Sequence, residues 1–348
     1  MKLKTYVLST LCFLALLSSC KKDDDNSIDL IPERDRTEQQ VADFDSLQKY
    51  LTTHYYNRGN FLGSDDHSIS EIVITELPKD DSGNYLDMPD PDYNQMLSEA
   101  VDIDNPKTTT YQEIEYQYYI LELNEGGGEN PNFSDNVRMN YFGTLLNGTS
   151  FDGTVTPIEF DLMTLIPGWR EVIPEFKTAE GFVENGDGTV TFTNYGLGVM
   201  FLPSGLGYYG EPKGSIPAYS NLIFTFELYQ SEVMDHDGDG IPSYMEDLNG
   251  NKNLYDDDTD GDGVPNFLDP DDDGDRVLTI NEMTRQTYTV DTNIGEEEPV
   301  LAEHEFLRSR TETNGVITIK TLKYVDSDNN GVFDHLQDDV KIDYSVDE

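Results

Sequence analysis

The chain has 348 residues, a formal net charge of −47 and a sequence pI near 4.1, and its length suits roughly two or three domains. Nucleic acid is excluded as a partner, because phosphates need basic contacts and 22 Lys and Arg stand against 69 Asp and Glu. Its two cysteines, Cys12 and Cys20, both lie near the N-terminus, so no disulfide is expected in the mature protein, whose folds must rest on packing or on metal.

Residues 1–19 read as a signal peptide. Lys2 and Lys4 precede an apolar run from Tyr6 to Leu17, shorter than the ~20 residues of a membrane-spanning helix. The ending Leu17-Ser-Ser-Cys20 resembles a bacterial lipobox, which implies lipidation of Cys20 and a membrane anchor there. Lys21-Lys22-Asp23-Asp24-Asp25 resembles the export signal of surface-exposed lipoproteins of the Bacteroidota, which implies an outer-membrane, surface-exposed location; a solvated charged tether has the same composition. Residues 20–36, polar and carrying Pro32, read as a disordered tether.

Residues 37–110 read as a helix followed by an irregular region. Val41, Phe44, Leu47, Leu51 and Tyr55 recur at helical spacing, with Thr37 as N-cap and Gln40 three residues on. Ser70–Leu77 reads as a short strand, and Lys79–Lys107, rich in Pro, Asp, Asn and Gly, as loop.

Between Val137 and Leu228 the informative residues are apolar and aromatic. Val137-Arg-Met-Asn-Tyr141 leads to Phe151-Asp152, then to Pro157-Ile-Glu-Phe160 and Leu165-Ile166-Pro-Gly-Trp169. Pro203-Ser-Gly-Leu-Gly-Tyr208-Tyr-Gly, Ile216-Pro217 and Asn221-Leu-Ile-Phe224-Thr-Phe-Glu-Leu228 follow. Asn147-Gly148 is a turn signal, so Tyr141 and Phe151 flank a hairpin end. Gly168 suits a tight entry into a helix carrying Trp169, Val172, Ile173 and Phe176. Asn185-Gly-Asp-Gly188, between alternating residues, predicts an extra hairpin within 181–195.

In this order the segments resemble the FKBP-type peptidyl-prolyl cis-trans isomerase family, over residues 111–230. The resemblance implies an α+β fold, an antiparallel sheet wrapped around one short helix. It also implies proline-containing polypeptide clients. Trp169, the only tryptophan, would floor a pocket walled by Tyr141, Phe151 and Phe224 and lined by Leu165 and Ile166. The Ile166 N–H would bind a substrate carbonyl, Tyr208 would donate its hydroxyl with Tyr209 as the alternative in register, Asp152 would sit at the rim and Ile216 would cap the far side. Ile158 stands where the family places an aromatic.

Such a pocket suits the reaction. The partial double bond of the peptide raises a barrier of ~18–20 kcal/mol. An apolar hollow strips water from the imide and penalises the planar, more polar ground state most. No cofactor or nucleophile is required. A pocket of this kind that only grips peptides is the alternative, as is a calcium-stiffened surface or adhesion protein using the domain as a spacer.

Residues 235–284 are an acidic repeat. Between Asp235 and Glu282 stand sixteen Asp and Glu with one Lys and one Arg. Asp235, Asp237, Asp239 and Glu246 fit a twelve-residue EF-hand loop at positions 1, 3, 5 and 12, with Gly240 at position 6. Asp258, Asp260, Asp262 and Asp269 repeat the pattern, as do Asp271, Asp273, Asp275 and Glu282, where Arg276 takes the glycine place. Asp247, Asn249, Asn251 and Asp258 make a weaker candidate. Ile241-Pro242 and Val264-Pro265 resemble thrombospondin type 3 loops, and all-oxygen donors favour structural Ca2+ over zinc or copper.

Residues 285–348 read as a small β module. Asn314-Gly315 marks a hairpin turn, and Asp326, Asp328, Asn330 and Gly331 resemble one further weak calcium loop.

Overall fold

In a computed structural model, which describes residues 33–63 and 66–347, the first element is helix α1 (Arg36–Thr53). The expected signal peptide, the lipobox cysteine and most of the tether lie outside the described residues. Asp35, not Thr37, caps α1, because its carboxylate accepts from the Thr37 and Glu38 amides. The buried face also differs from the apolar pattern. Leu47 and Leu51 are buried, but so are Gln39, Gln40 and Asp43, whereas Val41 is 60% exposed.

Asp43 explains that polar face. Its carboxylate accepts from Gln39 Nε2 at 2.7 Å, from the Ser204 amide at 2.8 Å and from Ser204 Oγ at 2.6 Å, and its carbonyl accepts from Asn221 Nδ2 at 2.9 Å. A buried carboxylate is tolerated where donors surround it.

Strands β1 (His54–Tyr56), β2 (Ile74–Glu76) and β3 (Gln95–Met96) form a small sheet in the order β2-β1-β3. The expected strand over Ser70–Leu77 shortens to β2, because Ile69–Glu71 is a 3-10 turn capped by Ser68. The expected loop contains β3 and the single turn α2 (Leu97–Ala100), whose Leu97 joins the core beside Leu47 and Leu51.

The main sheet is antiparallel and seven-stranded. It comprises β4 (Lys107–Tyr111), β5 (Ile114–Asn124), β6 (Asn136–Leu145), β7 (Ser150–Gly153), β8 (Ile158–Asp161), β11 (Gly196–Leu202) and β12 (Leu222–Glu232). The order is β4-β5-β11-β12-β6-β7, with β8 also paired to β6. Side chains alternate between two cores, as strand geometry requires. Tyr116 and Tyr118 of β5 and Met200 and Leu202 of β11 face one core; Tyr119, Leu121, Val199 and Phe201 face the other, with Leu47 and Leu51 of α1. All of β11 is buried, and it reads as a continuous apolar run for that reason.

The first core is completed by helix α3 (Pro167–Val172). Gly168 lets α3 lie on the sheet: a Cβ there would come within 2.3 Å of Leu202. The glycine thus serves close packing rather than the backbone turn expected of it. The 181–195 segment forms the hairpin β9 (Gly181–Glu184) and β10 (Val190–Thr193).

Beyond β12 the chain has only short 3-10 turns until β13 (Thr284–Asp291), β14 (Glu305–Thr313) and β15 (Val316–Lys323), which pair in the order β13-β15-β14. Ile241 and Met283 of the acidic segment pack with Phe306 and Leu322, so repeat and β module share a core. Asp35–Glu348 fold as one unit, and among the described residues no helix is long and apolar enough to cross a membrane.

Candidate active site and acidic loops

Trp169 lies on α3, buried, beneath a ring of partly exposed side chains: Tyr141, Phe151, Leu165, Ile166 and Tyr208 pack against its core without being covered. Phe224 stands 4.9 Å from the indole, Phe226 at 5.9 Å, and Tyr141 meets it edge-on at 5.8 Å. Phe151 meets Phe224 edge-on at 5.3 Å, and Ile216 is buried in the same cluster. The sheet dictates this convergence. Tyr141 of β6 pairs with Phe226 of β12, and Phe224 and Phe226 share one face by period two. Ile166 precedes α3 as its N-cap, and Pro167 opens the helix where a missing N–H does no harm.

The polar groups are few. Tyr141 donates its hydroxyl to Asp152 Oδ2 at 2.7 Å. Burial, with the Asp152 carboxylate adding to it, raises the hydroxyl pKa of both Tyr141 and Tyr208. Tyr208 packs against the same core as the indole. Tyr209 turns away: it is buried against Tyr219, and the Arg36 guanidinium lies 3.9 Å over its ring. The structure brings all nine expected pocket residues to one place.

Two aromatics were not foreseen there. Phe160 meets Tyr141 edge-on at 5.5 Å, whereas Ile158, two residues earlier on β8, is 36% exposed and does not supply the wall. Phe226 supports the indole, and its spacing from Phe224 is the signal that could have found it.

One local geometry occurs five times, four in the acidic segment and once at Asp326 in the β module. The first carboxylate of each loop accepts from the amide five residues on: Gly240, Lys252, Gly263, Arg276 and Gly331, at 2.8–3.1 Å. These five residues have φ of 96°, 59°, 97°, 83° and 91°. That left-handed backbone is the reason glycine is preferred at position six, and Lys252 and Arg276 adopt it without being glycine. In the weak loop Asn249 donates to Asp256 and Asp257 and Asn251 to Asp256, not to Asp258, whose carboxylate is occupied in starting the next loop.

Three groups of carboxylates converge: Asp237, Asp239 and Glu246 with Asp272; Asp258, Asp260 and Asp262; and Asp271, Asp273 and Asp275. Asp235 lies beside the first group with its oxygens on the Gly238 and Gly240 amides, and Asp269 beside the second with one oxygen on the Asp271 amide. Glu282 is fully buried, faces the third group, and both its oxygens lack a hydrogen-bond partner. Burial, reinforced by neighbouring carboxylates, raises Glu246 to about 11 and Glu282 to about 9. Acids buried against acids fit a divalent cation held by oxygen. Among the described residues no Lys or Arg pairs with the first group, while Lys341 approaches Asp275 at 3.5 Å.

A sheet wrapped on a short helix whose lone indole is ringed by aromatic side chains defines an FKBP-like fold. Residues 127–184 match the model of the FKBP-type peptidyl-prolyl cis-trans isomerase family, and the chain carries a domain of that type. Residues 236–303 match a model described as BamM C-terminal. The chain is 35% identical over 126 residues to the FKBP-type peptidyl-prolyl cis-trans isomerase FkpA of Aeromonas hydrophila, covering 35% of this chain and 40% of that one. It is 41% identical over 73 residues to the outer membrane protein MIP of Legionella longbeachae, covering 19% and 30%. The crystal structure of FkpA from Escherichia coli aligns with 28% identity and a TM-score of 0.28, over 36% of this chain and 51% of that one. The chain spans less than two thirds of the length of these relatives.

Proposed function

We propose that the protein catalyses cis–trans isomerisation of X-Pro bonds in envelope or surface polypeptides. The observation that carries this reading is the buried Trp169 indole walled by Tyr141, Phe151, Phe160 and Phe224, with hydroxyls and one carboxylate only at its edge. The proline ring stacks on the indole, the imide loses water, and the twisted amide is penalised less than the planar one. The Ile166 N–H and the Tyr208 hydroxyl hold substrate carbonyls, and Asp152 fixes the Tyr141 hydroxyl. Leu165 and Ile216 close the apolar lining. No cofactor takes part.

The loops beginning at Asp235, Asp258 and Asp271 hold structural Ca2+, with Glu246, Asp269 and Glu282 as the closing acids. Cys20 is the lipid anchor, to the outer membrane and exposed at the cell surface. Support for the first statement comes from buried, unpartnered carboxylates in the first and third loops and from the convergence of Asp258, Asp260 and Asp262 in the second; support for the anchor comes from the sequence of the leader.

The test is a protease-coupled assay on an X-Pro peptide with full-length protein. Tyr208→Phe removes one hydrogen bond of about 1 kcal/mol and is expected to lower kcat/KM by about five- to tenfold with the melting temperature unchanged. Trp169→Leu is expected to lower it further. Unchanged turnover in both variants refutes catalysis at this pocket; unchanged peptide affinity with no turnover in the wild type leaves a peptide-binding module.

A further inference from the structure

Asp272 belongs by sequence to the third acidic loop, between Asp271 and Asp273, yet its carboxylate joins the first. Ligand oxygens of Asp237, Asp239, Glu246 and Asp272 all lie within 4.8 Å of one another. Asp272 is 2% exposed and Glu246 3%, and neither oxygen of either side chain has a hydrogen-bond partner. Carboxylates this deeply buried need a donor or a cation to offset their lost hydration. None is supplied by protein to these four oxygens among the described residues, since Oδ2 of Asp237 and of Asp239 is also unpartnered.

The loop pattern isolates Asp272 further. In four loops the amide at position two is accepted by the side chain at position nine: His236 by Ser243, Thr259 by Asn266, Asp272 by Thr279 and Ser327 by Asp334. That contact fixes the backbone, and His236 and Thr259 also turn their side chains onto position nine of their own loops, at Ser243 Oγ and Asn266 Nδ2, 2.8 Å each, whereas neither Asp272 oxygen has such a partner. Only the third loop has an acid at position two; the others have His236, Thr259 and Ser327.

We propose that Asp272 is a ligand of the cation held by the first loop, so that this site is built by two loops rather than one. The inference rests on the calcium reading of the loops and adds a bridge to it. Asp271, Asp273 and Asp275 hold one ion while Asp272, in the same turn, holds another. Loading the third loop sets the turn that presents Asp272, and loading the first loop holds the same turn in place. The two sites fill cooperatively and tie together loops that begin at Asp235 and Asp271, between which lies no strand or α-helix.

The experiment is calorimetric titration of metal-stripped full-length protein with Ca2+ alone, comparing Asp272→Asn, Glu246→Gln, Asp273→Asn and the double variant Asp272→Asn/Glu246→Gln. Ligand charge sets affinity in oxygen sites, so Asp272→Asn is expected to weaken one binding step by about tenfold or more. That step should be the one weakened by Glu246→Gln, and the double variant should fall short of the product of the two single effects. Circular dichroism of each stripped variant guards against misfolding. Weakening of only the Asp273 step, or of none, overturns the bridging role while the loops stand. A wild type that takes up no Ca2+ overturns both.

Discussion

Trp169 and its neighbours leave little for pH to act on. The two hydroxyls, Tyr141 and Tyr208, have their pKa raised by burial and by Asp152, so neither loses its proton below the ordinary tyrosine range. A raised tyrosine pKa extends the neutral form upward, and the donors are therefore constant at and above neutrality. The expected pH profile of kcat/KM on an X-Pro peptide is flat from about pH 6 to about pH 9. A bell with a limb near neutrality would show that a titrating base takes part and that desolvation alone is not the mechanism. At this scale the pocket was legible because aromatic residues in a fixed order carry it. Phe160 was not, since Ile158 and Phe160 share one face of β8 and the register sets Ile158 opposite Met139 and Phe160 opposite Val137, so only the packing of the larger ring onto Tyr141 shows which one supplies the wall.

At the scale of elements, the contact of α1 with the loop after β11 has a consequence for the site. Asp43 holds Ser204 at the start of the segment 204–221 and Asn221 at its end, and that segment carries Tyr208 and Ile216. Asp43→Ala leaves the Ser204 amide and hydroxyl without their acceptor, a loss of about 1–3 kcal/mol. The variant is expected to melt earlier and to exchange the amides of 204–221 faster, while Val41→Ala, at an exposed position of the same helix, does neither. Equal exchange in both variants would mean that the loop is held by its own packing. Sequence periodicity could place α1 but not this contact: a buried face centred on Gln39, Gln40 and Asp43 looks, in a hydrophobic pattern, like a solvated one. The acidic loops were legible for the opposite reason, since position six demands a left-handed backbone and the alternating carboxylates announce the turn. Asp272 escaped because each loop was read as complete in itself.

Across the whole molecule, the acidic segment lies directly against the element that carries the indole. Lys252, held at φ 59° by the loop of Asp247, Asn249 and Asn251, pairs its ammonium with Glu171 of α3 at 2.8 Å, and its carbonyl accepts from Arg170 Nη1 at 3.5 Å. Leu254 and Phe267 pack on Met163 and Phe133, beside the turn leading to Leu165 and Ile166, while His236 approaches Asp161 at 3.4 Å. Those contacts are only as rigid as the loops that supply them, and a segment with sixteen acids and two basic residues repels itself once its cations leave. Stripping the protein with EDTA is thus expected to do two things. Protease cleavage within 235–282 should rise, and the support beneath α3 should loosen, lowering isomerase turnover. Because Trp169 is the only tryptophan, its emission reports on α3 without a label. The expected result is a change in that emission on chelation, reversed by Ca2+, with the midpoint of the change matching that of protease protection. Lys252→Ala should dissociate the two readouts, preserving calcium-dependent protection while shrinking the fluorescence response. An indole signal indifferent to EDTA while the repeat is being cut would show instead that the isomerase domain stands on its own core, the acidic segment merely resting against it.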